Sequence, residues 1–261
     1  MTRGAKLDWP LGPIAHRGLH DVSDGRLENS PAAIAAAREA GFGIEVDIQL
    51  TRDGKAIVFH DFSLERLTSA HGRVRDHTRA DMERLVYLVG GERPIRFQAL
   101  LDLVDGAVPL YVELKSDFSG ELGLADALRP GLEGYDGPIA LMSFDPALVR
   151  RCAALYPRVP AGIVSGRYAT PDWDPHVPAL RDRLRLRHLI DAFIARPAFV
   201  NYEITSLAAI APQLLRRAGV PLLTWTVRTV DERAAAAALA DAMVFEGFVP
   251  DQPEGGTDDD A

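Results

Sequence analysis

Gly43-Ile-Glu-Val-Asp-Ile-Gln-Leu-Thr-Arg-Asp-Gly-Lys-Ala-Ile-Val-Phe-His-Asp61 carries the decisive pattern of this chain. From Ile44 to Leu50 apolar and polar residues alternate, so Ile44, Val46, Ile48 and Leu50 share one face of a strand and Glu45, Asp47 and Gln49 share the other. Two carboxylates therefore point the same way. Arg52-Asp53-Gly54-Lys55 is a tight-turn signal, and the apolar run from Ala56 to Phe59 leads to His60. A two-residue hairpin loop at Asp53-Gly54 predicts that Asp47 lies directly opposite His60, which brings a carboxylate pair and an imidazole to one spot. Alternating acids also suit a solvated sheet face, and both readings stand on this segment alone.

Upstream, the apolar run Pro13-Ile14-Ala15 ends at His16-Arg17-Gly18, as a first strand would on entering a site. Arg17 offers a planar fork of donors suited to phosphate, and Gly18 lets the backbone turn away without a side chain. Glu28-Asn29-Ser30 precedes a helix signal, with Ser30 as cap and Pro31 at the first helical position. Glu28 either orients Arg17 or favours that helix N-terminus. His16-Arg17-Gly18, Glu28-Asn29-Ser30, Glu45-Val46-Asp47 and His60-Asp61, in that order, resemble the signature of the glycerophosphodiester phosphodiesterase family. Further on, Tyr111-Val112-Glu113-Leu114-Lys115 resembles the family's Glu-Leu-Lys strand. Thr224-Trp225-Thr226-Val227 and Gly247-Phe248-Val249-Pro250-Asp251-Gln252-Pro253 resemble its last two strand motifs. The departures are mild: Ser30 stands for Thr, and Phe62 follows His60-Asp61 where a second acid is common.

The chain has 261 residues, 47% of them hydrophobic, enough for one large domain. A (β/α)8 barrel commonly fills about 250 residues. Strands are expected at residues 139–143, 161–164, 199–201, 222–227 and 243–249. Helices are expected at 31–40, 96–104, 123–132, 146–155, 206–218 and 231–239. With the earlier runs this makes nine strands for eight barrel positions, and residues 56–60 as a hairpin arm account for the surplus. The fold class is therefore α/β, a (β/α)8 TIM-type barrel with an irregular hairpin after the second strand and an insertion near residues 166–198, which is also the fold the resemblance implies. Residues 1–253 form this single domain, and the acidic stretch 254–261 is expected to be a disordered tail.

The net charge of −8 argues against a nucleic-acid partner. The single cysteine, Cys152, sits in an apolar helical pattern as a buried thiol and excludes an internal disulfide. No apolar run is long enough to span a bilayer and the N-terminus lacks the apolar core of a signal peptide, so a cytoplasmic location is expected. The insertion starts with Tyr168, Pro171, Trp173, Pro175 and Pro178 and continues into a helical pattern with Arg181, Arg183, Arg185 and Arg187. A solvated amphipathic helix is one reading of it, and a lid or docking surface for anionic head groups is the other.

Hard oxygen donors select hard cations, so Glu45, Asp47 and Glu113 suit one divalent ion, Mg²⁺ or Ca²⁺, with Mn²⁺ also compatible. Arg17 and Lys115 would neutralise a phosphate, and His16 and His60 would divide the proton transfers near neutral pH. Trp225 either presents an apolar surface to a glycerol backbone or fills the barrel. The resemblance implies metal-dependent hydrolysis of a small-molecule glycerophosphodiester to glycerol 3-phosphate and an alcohol, with a glycerol hydroxyl as an internal nucleophile through a cyclic phosphate. Two alternatives stay open: a lysophospholipase D-type reaction, with membrane contact through 166–198, and a non-catalytic binder of phosphorylated alcohols.

Overall fold

The computed structural model describes residues 5–168 and 180–250. The expectations for Trp173 and its neighbouring prolines, and for the tail, lie outside the described residues. Within them, nine strands form one sheet: β1 (Ile14–Ala15), β2 (Gly43–Leu50), β3 (Ala56–Val58), β4 (Leu110–Leu114), β5 (Ile139–Ser143), β6 (Ala161–Ser165), β7 (Val200–Glu203), β8 (Leu222–Val227) and β9 (Ala242–Phe245). Eight of these pair in parallel, and β1 closes the ring by pairing with both β2 and β9. β3 is the surplus strand, an antiparallel arm on the far end of β2. The chain is thus a closed (β/α)8 barrel.

The helices are α1 (Pro31–Glu39), α2 (Arg79–Met82), α3 (Phe97–Val104), α4 (Gly123–Ala127), α5 (Arg129–Leu132), α6 (Pro146–Leu155), α7 (Leu180–Arg187), α8 (Ala192–Ala195), α9 (Ile210–Arg217) and α10 (Val230–Leu239). Their starts follow local chemistry. Ser30 accepts a hydrogen bond from the Ala33 amide, Asp145 from Ala147, and Thr229 forms a capping box with Glu232. Two expected helices differ, for one reason. Proline has no amide to donate and belongs in a first turn. Pro130 therefore splits the expected 123–132 helix into α4 and α5. Pro212 likewise delays α9 to Ile210, behind a short 3-10 turn at Ile204–Ser206.

Alternation sorts the side chains as expected. Ile44, Val46, Ile48, Leu110, Val112 and Leu114 face outward into the layer between strands and helices. The opposite parity fills the barrel. Ile14, Tyr111, Met142, Val164, Phe199 and Val244 form its apolar lower interior, and Trp9 closes it by donating to the Tyr111 hydroxyl at 3.0 Å. Phe199 occupies space that Gly162 leaves open: a Cβ there would lie 2.4 Å from its ring. No helix of the described residues is long and apolar enough to cross a membrane.

The hairpin register differs from the expected one. Ile48 pairs with Val58 and Leu50 with Ala56, and the Phe59 amide bonds to the Asp47 carbonyl at 3.0 Å. Phe59, rather than His60, therefore lies across from Asp47. The loop is wider than two residues: Thr51 N–H bonds to Lys55 O and Gly54 N–H bonds to Thr51 O, with Gly54 at φ 68°. This moves the pairing by one residue. The segment from His60 to Arg96, which shows no periodicity in the sequence, folds around its own small core of Ile57, Phe59, Leu64, Val74, Met82 and Tyr87.

Candidate active site

The strands end at the mouth of the barrel, and the polar parity of β2 and β4 places acids there. Glu45, Asp47 and Glu113 are all buried, and each offers a carboxylate oxygen within 4.8 Å of the others. Asp47 and Glu113 are register partners on adjacent strands. Such a cluster needs cations. Lys115 Nζ lies 2.9 Å from Glu113 Oε1 and 3.5 Å from Asp47 Oδ1, and Arg17 Nε lies 3.4 Å from Asp47 Oδ2.

Electrostatics splits the three acids. Burial alone would raise the carboxyl of Asp47, yet His60, Lys115, Arg17 and a hydrogen bond from Asn29 hold it well below the usual carboxylate range. Burial and the neighbouring Asp47 and Glu113 charges push Glu45 well up. Burial also raises Glu113, against the pull of Lys115. Three carboxylates that resist sharing full charge are the donor set a hard divalent cation would satisfy, so the residues present fit such an ion.

The turn after β1 carries the basic side of the site. Arg17 N–H bonds to Glu45 Oε2 at 3.0 Å and its guanidinium to Glu28 Oε1 at 2.6 Å. Arg17 (φ 54°) and Asn29 (φ 57°) both adopt left-handed backbone, a strained state for arginine, and the Asn29 amide bonds to the Arg17 carbonyl. Asn29 then clamps Asp47 twice, its Nδ2 donating to the carboxylate and its Oδ1 accepting from the Asp47 amide. Glu28 accepts from both Arg17 and Arg66; burial works against these contacts, but they hold its carboxyl down at about 2.

The two histidines follow one pattern. His16 Nδ1 lies 2.6 Å from Glu246 Oε2, and His60 Nδ1 lies 2.7 Å from Asp61 Oδ1. A carboxylate on Nδ1 fixes each ring's orientation and leaves Nε2 for other chemistry. His16 Nε2 is 3.9 Å from Glu45 Oε2. Burial first, and Arg17 second, lower His16 to about 4 despite Glu246. Arg66 braces Asp61 and Glu28 together, with contacts of 2.6 and 2.7 Å.

The mouth holds one cavity of about 620 Å³. His16, Arg17, Glu45, Asp47, His60, Glu113, Lys115 and Trp225 line it together, and Glu28 stands behind Arg17. Met142, Phe144, Val164, Trp225 and Val244 add apolar surface to the lining, beside the polar Asn201 and Glu203. Phe62 also lines the cavity. Cys152 is remote, buried among apolar neighbours that push its thiol up to about 12.

No sequence expectation assigns a role to Asn29, Asp61, Arg66 or Glu246. Asn29 and Asp61 lie inside recognisable motifs. Glu246 was hidden by an expected strand running to Val249; the strand stops at Phe245, ahead of Gly247 at φ 80°, and so presents Glu246 at its C-terminal end. Arg66 carries no local signal.

A closed barrel that gathers carboxylates, two guanidinium or ammonium groups and two carboxylate-backed imidazoles at the C-terminal ends of its strands is a barrel enzyme built for an anionic substrate. Comparison with known proteins narrows this class. The model of the glycerophosphoryl diester phosphodiesterase family matches residues 3–254. A glycerophosphodiester phosphodiesterase of Caldanaerobacter subterraneus subsp. tengcongensis is 28% identical over 254 residues, covering 92% of this chain and 94% of the relative. The fold matches an Oleispira antarctica phosphodiesterase solved with the product sn-glycerol-3-phosphate (TM-score 0.74, 20% identity, 90% and 92% of the two chains). It also matches a Thermotoga maritima glycerophosphodiester phosphodiesterase (TM-score 0.67, 20% identity, 89% and 93%). The chain belongs to the glycerophosphoryl diester phosphodiesterase family, a family of hydrolases.

Proposed function

We propose that the protein hydrolyses small glycerophosphodiesters to glycerol 3-phosphate and an alcohol, with His16 and His60 exchanging protons and a divalent cation held by Glu45, Asp47 and Glu113. The observation that carries this reading is the convergence of both imidazoles, the acid cluster, Arg17 and Lys115 on one cavity. Its volume of about 620 Å³ falls within the roughly 300–1,000 Å³ usual for small-molecule sites.

The bound cation would supply Lewis-acid polarisation of a phosphoryl oxygen. Arg17 and Lys115 lower the negative charge that a diester presents to an incoming hydroxyl, and both are already fixed by acids, so little reorganisation is needed. One imidazole accepts the proton of the attacking hydroxyl through Nε2. The other delivers a proton to the leaving alkoxide as its P–O bond breaks. Glu246 and Asp61 hold the Nδ1 protons, so each ring works through a single nitrogen. The apolar residues of the lining favour a second reading within the same chemistry, an amphiphilic lysophospholipid whose chain lies against Phe144 and Trp225.

The test is release of glycerol 3-phosphate from glycerophosphocholine and glycerophosphoethanolamine, with Mg²⁺, Ca²⁺ or Mn²⁺ and with a chelator. His16→Asn and His60→Asn should each lower kcat by roughly 10²–10⁴-fold. Turnover that survives either change would remove that histidine from the mechanism, and release from lysophospholipids alone would move the second reading to the front.

A further inference from the structure

The reaction leaves residues 180–196, between β6 and β7, unused, and their surface is unusual. On α7, Leu180, Arg183, Leu184 and Arg187 recur at the spacing of one helix face. Just beyond, after a turn with Leu189 at φ 52°, Ile190, Phe193 and Ile194 add further exposed apolar side chains up to α8. Leu180 is 73% exposed, Phe193 80% and Ile194 62%. These side chains are not the inward face of the helices, since Leu186, Leu189, Ala192 and Ala195 already bury that face against the barrel. Clustered large apolar groups of this kind mark an interaction site on a soluble fold.

The charge around them is net positive. Residues 180–196 carry Arg181, Arg183, Arg185, Arg187 and Arg196 against Asp182 and Asp191, within a chain of net charge −8. Arg185 pairs with Asp191 at 2.6 Å and Arg181 with Asp182 at 3.8 Å, so the acids are already engaged. Arg183 and Arg187 lie on the same face as Leu180 and Leu184.

We propose that the α7–α8 face docks on an anionic lipid bilayer. Leu180, Leu184, Ile190, Phe193 and Ile194 enter the boundary between head groups and acyl chains, and the arginines meet the anionic head groups. A second copy of this chain fits less well, because a two-fold contact through this face would set arginines against arginines. The face is tied to the barrel mouth. Ser165, the last residue of β6, donates to the Leu186 carbonyl at 2.8 Å, and the Tyr202 hydroxyl donates to the Arg187 carbonyl at 2.8 Å. Leu186 and Tyr168 also pack with Phe118 and Phe144, which line the catalytic cavity. Docking through α7 therefore takes place beside the cavity mouth. The proposal does not depend on which reaction the cavity performs.

The experiment is co-sedimentation of the full chain with vesicles of phosphatidylcholine alone and of phosphatidylcholine with phosphatidylglycerol. Binding is expected only to the anionic vesicles, and it should weaken as salt rises. The double changes Phe193→Ser with Ile194→Ser, and Arg183→Glu with Arg187→Glu, should each lower the apparent affinity by at least about tenfold, with an unchanged melting temperature. Equal binding to neutral vesicles, equal binding by the variants, or no binding at all would overturn the proposal. A dimer in light scattering that Phe193→Ser dissociates would also overturn it, by showing that a second copy covers the face.

Discussion

At the scale of single residues, His16 shows how position sets chemistry. In the folded protein it is lowered from 6.5 to about 4, chiefly by burial and then by Arg17. The unfolded chain takes up that proton first as pH falls. The stabilising contribution is therefore complete above about pH 6.5 and is lost progressively as pH falls toward about 4. Denaturant titrations of wild type and His16→Asn with a chelator present should thus converge or cross as pH drops from 7 to 4, with a relative change on the order of 3 kcal/mol. Parallel curves would show that His16 ionises normally. Glu246 acts on the same ring through its 2.6 Å contact with Nδ1, so Glu246→Ala should lower kcat by roughly 10–100-fold with a smaller effect on KM. A purely structural Glu246 would instead lower the melting temperature and leave kcat intact.

At the scale of elements, the turn between β1 and α1 is closely packed. Gly18 sits at φ 78°, and a Cβ there would lie 2.7 Å from the Ala33 carbonyl carbon and 2.9 Å from the Ile34 nitrogen, both backbone atoms of α1. Gly18→Ala should therefore cost about 2 kcal/mol or more, because neither neighbour can give way without moving the helix. Chemical denaturation reads this directly, and a change below about 0.5 kcal/mol would contradict the close packing of that turn. Ser30→Ala, which removes only the cap bond to Ala33, should cost about 1 kcal/mol. The element scale is also where local sequence misled. Pro130 and Pro212 look compatible with long helices when apolar periodicity alone is counted, but each carries a first-turn constraint that the period ignores.

At the scale of the whole molecule, closure of the barrel assembles acids from β2 and β4, the His16 imidazole from the end of β1 and the Glu246 carboxylate from the end of β9. If Glu45, Asp47 and Glu113 hold a divalent ion, binding must stabilise the native state, by about 2.7 kcal/mol at a hundredfold excess over Kd. That corresponds to a rise in melting temperature of roughly 5–10 °C in a domain of this size. Thermal unfolding with and without Mg²⁺, Ca²⁺ or Mn²⁺ tests it, and the rise should disappear in Glu45→Gln and Glu113→Gln. An equal rise in those variants would place the ion elsewhere.

Features that depend on neighbours along the chain were legible in the residues alone. The strict alternation of β2 and β4 put Glu45, Asp47, Glu113 and Lys115 on one polar face, because a strand turns successive side chains to opposite faces regardless of its partners, and closure of the ring made that face the barrel interior. Ser30-Pro31 set the start of α1 in the same local way. Tertiary structure alone decided the rest. The hairpin register shifted by one residue because the loop's hydrogen bonds, rather than the Asp53-Gly54 pair, chose its width. The support of His16 by Glu246 joins residues 230 positions apart, and the bracing of Glu28 by Arg66 joins residues 38 apart. No periodicity or cap connects such pairs. They meet only because the eight-stranded ring closes and because the apolar packing of the His60–Arg96 segment carries Arg66 back over the mouth, and both are consequences of burial summed over the whole chain.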